Sequence, residues 1–198
     1  MGTCVAADGT LKSELNQKLA LAWSDFQQLA RLWRHTLVPR ARKIQIFQAV
    51  ITCRVFYGLS GAWLNVAEQR RLDAFQSKCL RRILGIPSAY FSRVSNKVVL
   101  ARAQQIPYTM QLLKQQLLLY GKVARSRDDD PLRKLTFCPG SLQPATSRHV
   151  RRVGRPRNEW AVKLTEIGIS ITGSMNALNN LVREAAAWRR LLNHKYKL

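Results

Sequence analysis

Residues 65–87 read NVAEQRRLDAFQSKCLRRILGIP, and this stretch decides the fold class. Asn65 stands three residues before Glu68, the spacing of a capping box, in which each side chain takes up a free backbone N–H at a helix start. Leu72, Phe75, Cys79 and Ile83 then recur at helical spacing, which lays one apolar stripe along an α-helix. Gly85 and Pro87 stop it, because glycine accepts the left-handed conformation that ends many helices and proline cannot continue one.

The same period spreads in both directions. Upstream, Leu15, Leu19, Ala22, Trp23, Phe26, Leu29, Leu32 and Trp33 describe an amphipathic helix from Leu11, with Glu14 in its first turn. Val38-Pro39 resets the chain, and Ile44, Phe47, Val50, Ile51 and Tyr57 mark a second helical face that Gly58 and Gly61 end. Downstream, Ser95 caps a short helix through Ala103. Pro107 opens a longer one carrying Met110, Leu113, Leu117, Tyr120 and Ala124, whose last turn Gly121 weakens.

From Ser126 to Arg157 the composition changes: Pro131, Pro139, Pro144 and Pro156, with Gly140 and Gly154, leave few apolar residues in any period. Helix returns over Asn158 to Ile167 and breaks near Gly168 to Ser174. It closes with Leu178, Leu181, Val182, Ala185, Trp188 and Leu192. Only Thr3 to Ala7 and Gly168 to Thr172 suit an extended strand. The expectation is a mainly α chain: a helical bundle over 10–125, a basic, mostly irregular linker over 126–157 and a C-terminal helical segment over 158–198.

Thirty-three Lys and Arg stand against 11 Asp and Glu in 198 residues, a formal charge of +22. Such an excess cannot be neutralised within the chain and must be solvated or face a polyanion. A membrane surface ranks below nucleic acid as that polyanion. No stretch approaches the roughly 18 apolar residues of a spanning helix, and Lys114, Gln115 and Gln116 interrupt the Leu112 to Leu119 run. Met1 to Thr10 lack a secretory signal's basic start and apolar core, so an intracellular chain, nuclear or cytoplasmic, is expected.

Nothing in the sequence supplies a catalytic constellation. Cys4, Cys53, Cys79 and Cys138 are far apart with no C-x-x-C, which predicts buried reduced thiols rather than disulfides or a metal site. His35, His149 and His194 have no companion nucleophile or acid at a recognised spacing. No lysine follows an acid by two positions, as many nucleases need. Asp128-Asp129-Asp130 lies in polar sequence between Arg127 and Pro131 and reads as a solvated turn pairing with nearby arginines. No metal, cofactor or catalytic residue is expected.

The cations carry the functional reading. Arg40, Arg42 and Lys43 on the second helix, with Arg70, Arg71, Lys78, Arg81 and Arg82 on the third, fall largely beside or opposite the apolar stripes, so a bundle would carry them on a positive outer surface. Arg151, Arg152, Arg155 and Arg157 flank Gly154 and Pro156. That Arg-bearing strip, biased towards extended backbone, suits a narrow groove or a single strand, or else is a soluble connector whose proline starts the next helix. Trp23, Trp33, Phe47, Tyr57, Phe75, Trp160 and Trp188 read as core, leaving Trp63, in a glycine-containing turn, as the aromatic open to stacking on a base.

One ordered series carries a family resemblance. Tyr57-Gly58, Trp63, then Arg71-Leu72-x-x-Phe75-x-x-x-Cys79-Leu80-Arg81-Arg82-Ile83-Leu84-Gly85-Ile86 resembles the region after the polymerase palm in reverse transcriptases of non-LTR, LINE-like retrotransposons. Arg93-Val94-Ser95-Asn96, the helix from Pro107, Gly154-Arg155-Pro156-Arg157 with Trp160, and Ala187-Trp188-Arg189 follow in the same order. The resemblance implies a thumb-like bundle, a basic linker and a C-terminal helical piece that hold template and primer, with residues 1–9 the remnant of the strand leaving the palm. It implies RNA or DNA as partner and, in the family, the palm of a longer polyprotein.

That family is an RNA-directed DNA polymerase, whose chemistry needs aspartates on a strand and on a Tyr/Phe-x-Asp-Asp hairpin to hold two metal ions. This sequence has no such hairpin. The expectation is therefore a non-catalytic nucleic-acid-binding chain that grips backbone without reading bases. An independent architectural or ribonucleoprotein scaffold, or an expressed remnant without function, are the alternatives.

Overall fold

A computed structural model of the chain describes residues 11–33, 37–145 and 159–196. It is about 75% helical, and no strand occurs among the described residues, so the fold is mainly α. Residues Thr3 to Ala7 lie outside the described part. The chain divides into two compact units, 1–112 and 113–197.

The first unit contains α1 (Lys12–Leu32), α2 (Arg40–Phe47), a wide π turn (Gln48–Thr52), α3 (Cys53–Phe56), a 3-10 turn (Leu59–Gly61), α4 (Val66–Leu84), α5 (Ala89–Ser92) and α6 (Asn96–Ala103). Its core takes the expected stripes, Leu15, Ala22 and Phe26 from α1, Phe47 and Ile51 from the second run, and Leu72, Phe75, Cys79 and Ile83 from α4, and adds Leu80. Each fully buried leucine contributes about 1.5–3 kcal/mol by leaving water.

α4 begins as its capping box requires, with Asn65 Oδ1 accepting from Glu68 N (2.9 Å) and Glu68 Oε2 accepting from Asn65 N (2.8 Å). It ends at Gly85, whose φ of 70° is the left-handed value reserved largely for glycine.

The second helical run differs from its expected single face. The π turn shifts the helical phase after Phe47, and Val50 leaves the apolar stripe at 45% exposed; Tyr57 stands past the end of α3 in a non-helical conformation and is 67% exposed. Lys18 Nζ lies 5.6 Å from the Tyr57 ring centroid. Cys53, expected to be buried, is exposed by the same phase shift as Val50, while Cys79 is buried and Cys138 intermediate.

α7 (Tyr108–Ala124) contributes its start to the first unit. Pro107 offers no N–H, and the next free ones are capped from α4: Tyr108 N donates to Gln76 Oε1 (2.8 Å) and Thr109 N to Asp73 Oδ1 (2.9 Å). Gln76 Nε2 also donates to Ile106 O (2.9 Å), so a buried amide is satisfied at both ends. Packing thus divides the expected 10–125 bundle inside α7.

The second unit holds the rest of α7, α8 (Pro131–Thr136), α9 (Trp160–Thr172), α10 (Met175–Arg183) and α11 (Ala185–Lys195). The described part of the expected linker, 126–145, carries a short helix and a bridged turn. Asp130 caps α8 through Leu132 N (2.8 Å), Phe137 bridges to Pro144, and Phe137 and Leu142 are buried. Arg133 reinforces this turn through Asp128 (2.7 Å) and the Ala124 carbonyl, while Asp129 pairs with Arg127 (3.4 Å).

Gly168 to Thr172, read as a break or strand, is helical. Gly168 sits inside α9 because a Cβ there would meet Leu178 at 3.0 Å, and the break falls instead at Gly173, with φ of 87°. The single closing helix expected from Leu178 to Leu192 is two, α10 and α11, joined at Glu184 in extended conformation.

Candidate nucleic-acid interface

Arg71, Lys78 and Arg82 recur seven and four apart on α4, which places them on one face, and all three are exposed, as is Arg70. Lys78 Nζ stands 3.7 Å from the Trp23 ring centroid and the Arg82 guanidinium 5.3 Å. Trp23 also stacks on Phe26 at 5.7 Å and meets Phe75 edge-on at 6.4 Å, so its ring is engaged by protein, as a core aromatic is. Beside these groups lies a cleft of about 540 Å³, lined by Gln27, Ser77, Lys78, Arg82, Ser88 and Asn96 among others.

A second cleft, also of about 540 Å³, lies between α2 and the end of α6. Arg40 and Arg102 supply its charge, Gln45, Gln48, Gln104 and Gln105 its amides, and Ile44 and Leu84 part of its apolar wall. Gln48 Nε2 donates to Gln105 Oε1 at 2.6 Å, which braces the π turn against the end of α6. Gln104 ends α6 with φ of 52°, a left-handed conformation uncommon outside glycine and asparagine. Ile86 lines both clefts, so the cleft of Arg40 and Arg102 adjoins that of Lys78 and Arg82.

Among the described residues no carboxylate lines either cleft. The described acids of this unit are spent elsewhere: Glu14 lies 3.2 Å from Lys18, Asp25 pairs with Arg54, Glu68 caps α4, and Asp73 accepts from Thr109 Oγ1 (2.8 Å) as well as its N–H. The acids therefore cap helices or tie elements together, and the exposed cations keep their field.

The candidate cations do not all reach this surface. Arg42 is exposed and donates to Gln45 Oε1 at 3.0 Å, and neither it nor Arg70 or Arg71 lines either of these two clefts. Lys43 is half-buried, with Nζ 3.4 Å from Trp33 O. Arg81 corrects the expectation of an outer cation: it forms part of the wall of the Lys78–Arg82 cleft but is only 7% exposed, and its guanidinium donates to Pro87 O (2.9 Å), Val94 O, Ser92 Oγ (3.3 Å) and Asn96 Oδ1 (3.1 Å). Gly85 turns the chain back over the end of α4, and the returning segment brings those acceptors onto a position that helical period alone leaves at the surface. Arg151, Arg152, Arg155 and Arg157 lie outside the described residues.

Two features were missed in the sequence. Arg102 joins Arg40 in the second cleft, although it is remote in sequence from the basic clusters of α2 and α4. Tyr90 and Phe91, which belong to no apolar period, stand 74% and 79% exposed, whereas Trp63, expected to be the open aromatic, is half-buried. Their signal was available as an aromatic pair in the non-periodic segment after Pro87.

Burial holds two titratable groups of this unit neutral. Desolvation pushes the Cys79 thiol up to about 12 despite the opposing pull of Lys78 and Arg82. It also raises the Tyr108 hydroxyl, which shares a 2.6 Å hydrogen bond with Thr52 Oγ1. Both groups thus stay protonated, as inert core members. Among the described residues no three His, Cys, Asp or Glu gather as a metal site, and no helix is long and apolar enough to cross a membrane. No family model, no curated protein and no solved structure matches this chain.

Proposed function

We propose that this chain is a non-catalytic nucleic-acid-binding module that grips phosphate backbone through the cationic side of its N-terminal unit. The observation that carries the reading is the placing of Arg40 and Arg102 in one cleft and of Lys78 and Arg82 in another, the two sharing Ile86 and neither lined by a carboxylate among the described residues. A guanidinium or ammonium held without a protein counter-ion neutralises a phosphate and releases that phosphate's condensed cations, a sequence-independent source of affinity. The ordered resemblance to the thumb and C-terminal region of LINE-like reverse transcriptases supports the same role, with bond formation left to a palm.

The test is a salt-titrated binding assay on the full chain with matched single-stranded, duplex and hybrid probes. The expected result is a linear fall of log K with log salt, by about 0.9 per neutralised phosphate on duplex DNA. Replacing Arg40, Arg102, Lys78 and Arg82 together by glutamine lowers that slope. Absence of binding in dilute buffer, or a slope untouched by the four changes, overturns the proposal. The same assay on Arg151→Ala, Arg152→Ala, Arg155→Ala and Arg157→Ala combined decides whether the basic strip grips or merely connects.

A further inference from the structure

Tyr90 and Phe91 occupy the one-turn helix α5, 74% and 79% exposed, with ring centroids 5.2 Å apart and planes at 85°. In that perpendicular arrangement the two rings are not stacked on each other. The Arg93 guanidinium lies 5.6 Å from the Tyr90 centroid. Two adjacent aromatics in water forfeit the burial that normally accounts for such side chains, so their exposure asks for a ligand.

Their segment is held in place. Buried Arg81 donates to Pro87 O ahead of the pair and to Val94 O and Asn96 Oδ1 behind it. Ser92 Oγ donates to Ser88 O at 3.0 Å, and Arg93 closes the turn in the left-handed region, φ 52°, with its N–H on Ala89 O. The rings are therefore presented from a stapled turn, which lowers the entropy cost of stacking something on them.

The turn also borders charge. Ser88 and Ala89, the residues just before Tyr90, line the cleft of Lys78 and Arg82, which holds no carboxylate. A cationic groove leading to exposed aromatic faces is the pairing that unpaired nucleic acid requires, since every base has a π face and every linkage a phosphate. A duplex hides those faces. A membrane fits less well, because Ser88, Arg93, Ser95, Asn96 and Lys97 intersperse polar and charged groups among the exposed Pro87, Ala89 and Val98, so the two rings do not continue into an unbroken apolar face.

We infer that Tyr90 and Phe91 form a stacking platform for unpaired bases whose phosphates run into the Lys78–Arg82 groove, making single-stranded RNA or DNA the preferred ligand. This rests on the backbone-gripping function proposed above and narrows its substrate class.

The experiment measures anisotropy of a labelled mixed-sequence single strand and of its duplex, each over a salt series, with the full chain. Two double variants are compared, Tyr90→Ala with Phe91→Ala and Lys78→Gln with Arg82→Gln, with circular dichroism and thermal melting confirming that each is folded. The aromatic variant is expected to weaken single-strand binding roughly tenfold or more at unchanged salt slope, because stacking releases no counterions. Duplex binding then moves by no more than about twofold, well inside that stacking effect. The cation variant lowers the slope on both probes.

If the aromatic variant leaves the single strand unaffected, or weakens both probes equally, while the cation variant still lowers the slope, the platform is wrong and the phosphate grip stands. If neither probe binds in dilute buffer, both readings fall. Binding to phosphatidylserine vesicles that depends on Tyr90 and Phe91, with no oligonucleotide binding, replaces the platform by a membrane contact.

Discussion

Trp188 Nε1 donates to the carbonyl oxygen of Leu117 at 2.9 Å, carrying a buried indole from α11 against the backbone of α7. The approach is possible because Gly121, one turn further along α7, has no side chain. A Cβ there would lie 2.6 Å from Trp188 Cδ1 and Nε1. A residue that weakens α7 by its own propensity is the one that lets the second unit close.

Gly121→Ala is therefore predicted to destabilise this unit, against the gain of about 1 kcal/mol that helix propensity alone would give. Trp188 is fully buried and tied by its hydrogen bond, so it cannot swing aside, and overpacking of this kind costs about 1–3 kcal/mol. Urea unfolding of the full chain decides the sign. A more stable variant would show that the indole moves freely.

Arg81→Ala is predicted to lower stability by about 2–3 kcal/mol, because it strands the Pro87 and Val94 carbonyls and the Asn96 amide that the guanidinium serves. Arg81→Lys rescues little, since an ammonium cannot reproduce the planar fork. The salt slope of nucleic-acid binding stays the same in Arg81→Gln at temperatures where it is folded. A reduced slope would return Arg81 to the surface as a phosphate contact.

Alkaline pH is predicted to loosen the first unit. Burial raises Cys79 from 9.0 to about 12, so its contribution is complete below pH 9 and is lost as pH climbs from 9 towards 12, where the unfolded chain sheds a proton that the folded chain retains. Burial raises Tyr108 too, and its contribution falls away in the same direction above pH 10. Each such group adds a slope of about 1.4 kcal/mol per pH unit. Unfolding free energy measured over this range in wild type and Cys79→Ala gives the check: the variant has the shallower decline. Thiol labelling at mild pH modifies exposed Cys53 and spares Cys79.

Asn65→Ala removes the acceptor for Glu68 N and is predicted to cost about 1 kcal/mol, while Asn65→Asp keeps it and costs little. Thermal melts of the two variants side by side test whether the capping box, rather than the asparagine's size, starts α4.

The helices of this chain were legible because their signals are local. A capping box, a left-handed glycine and a run of apolar residues at helical spacing act within a few residues of one another, and α1, α4, α6 and α7 lie where those signals put them. The π turn after Phe47 was not legible, because a shift of helical phase leaves no compositional mark yet rotates Val50 into water. The structure over 126–145 escaped for a similar reason: Phe137 and Leu142 are isolated in sequence, and both are buried, with Phe137 bridged to Pro144 and packed edge-on against Tyr120.

The sequence alone determined that the chain is mainly helical, where its principal helices begin, and that its positive charge exceeds any internal neutralisation. Only the tertiary structure decided which cations face solvent. Arg81 and Arg82 are adjacent, yet one is buried under the returning Pro87–Asn96 segment and the other stands over Trp23. Helical period orients a side chain about its own axis. Whether it meets water or a carbonyl depends on acceptors that arrive from elsewhere in the chain, and their arrival is settled when the core closes.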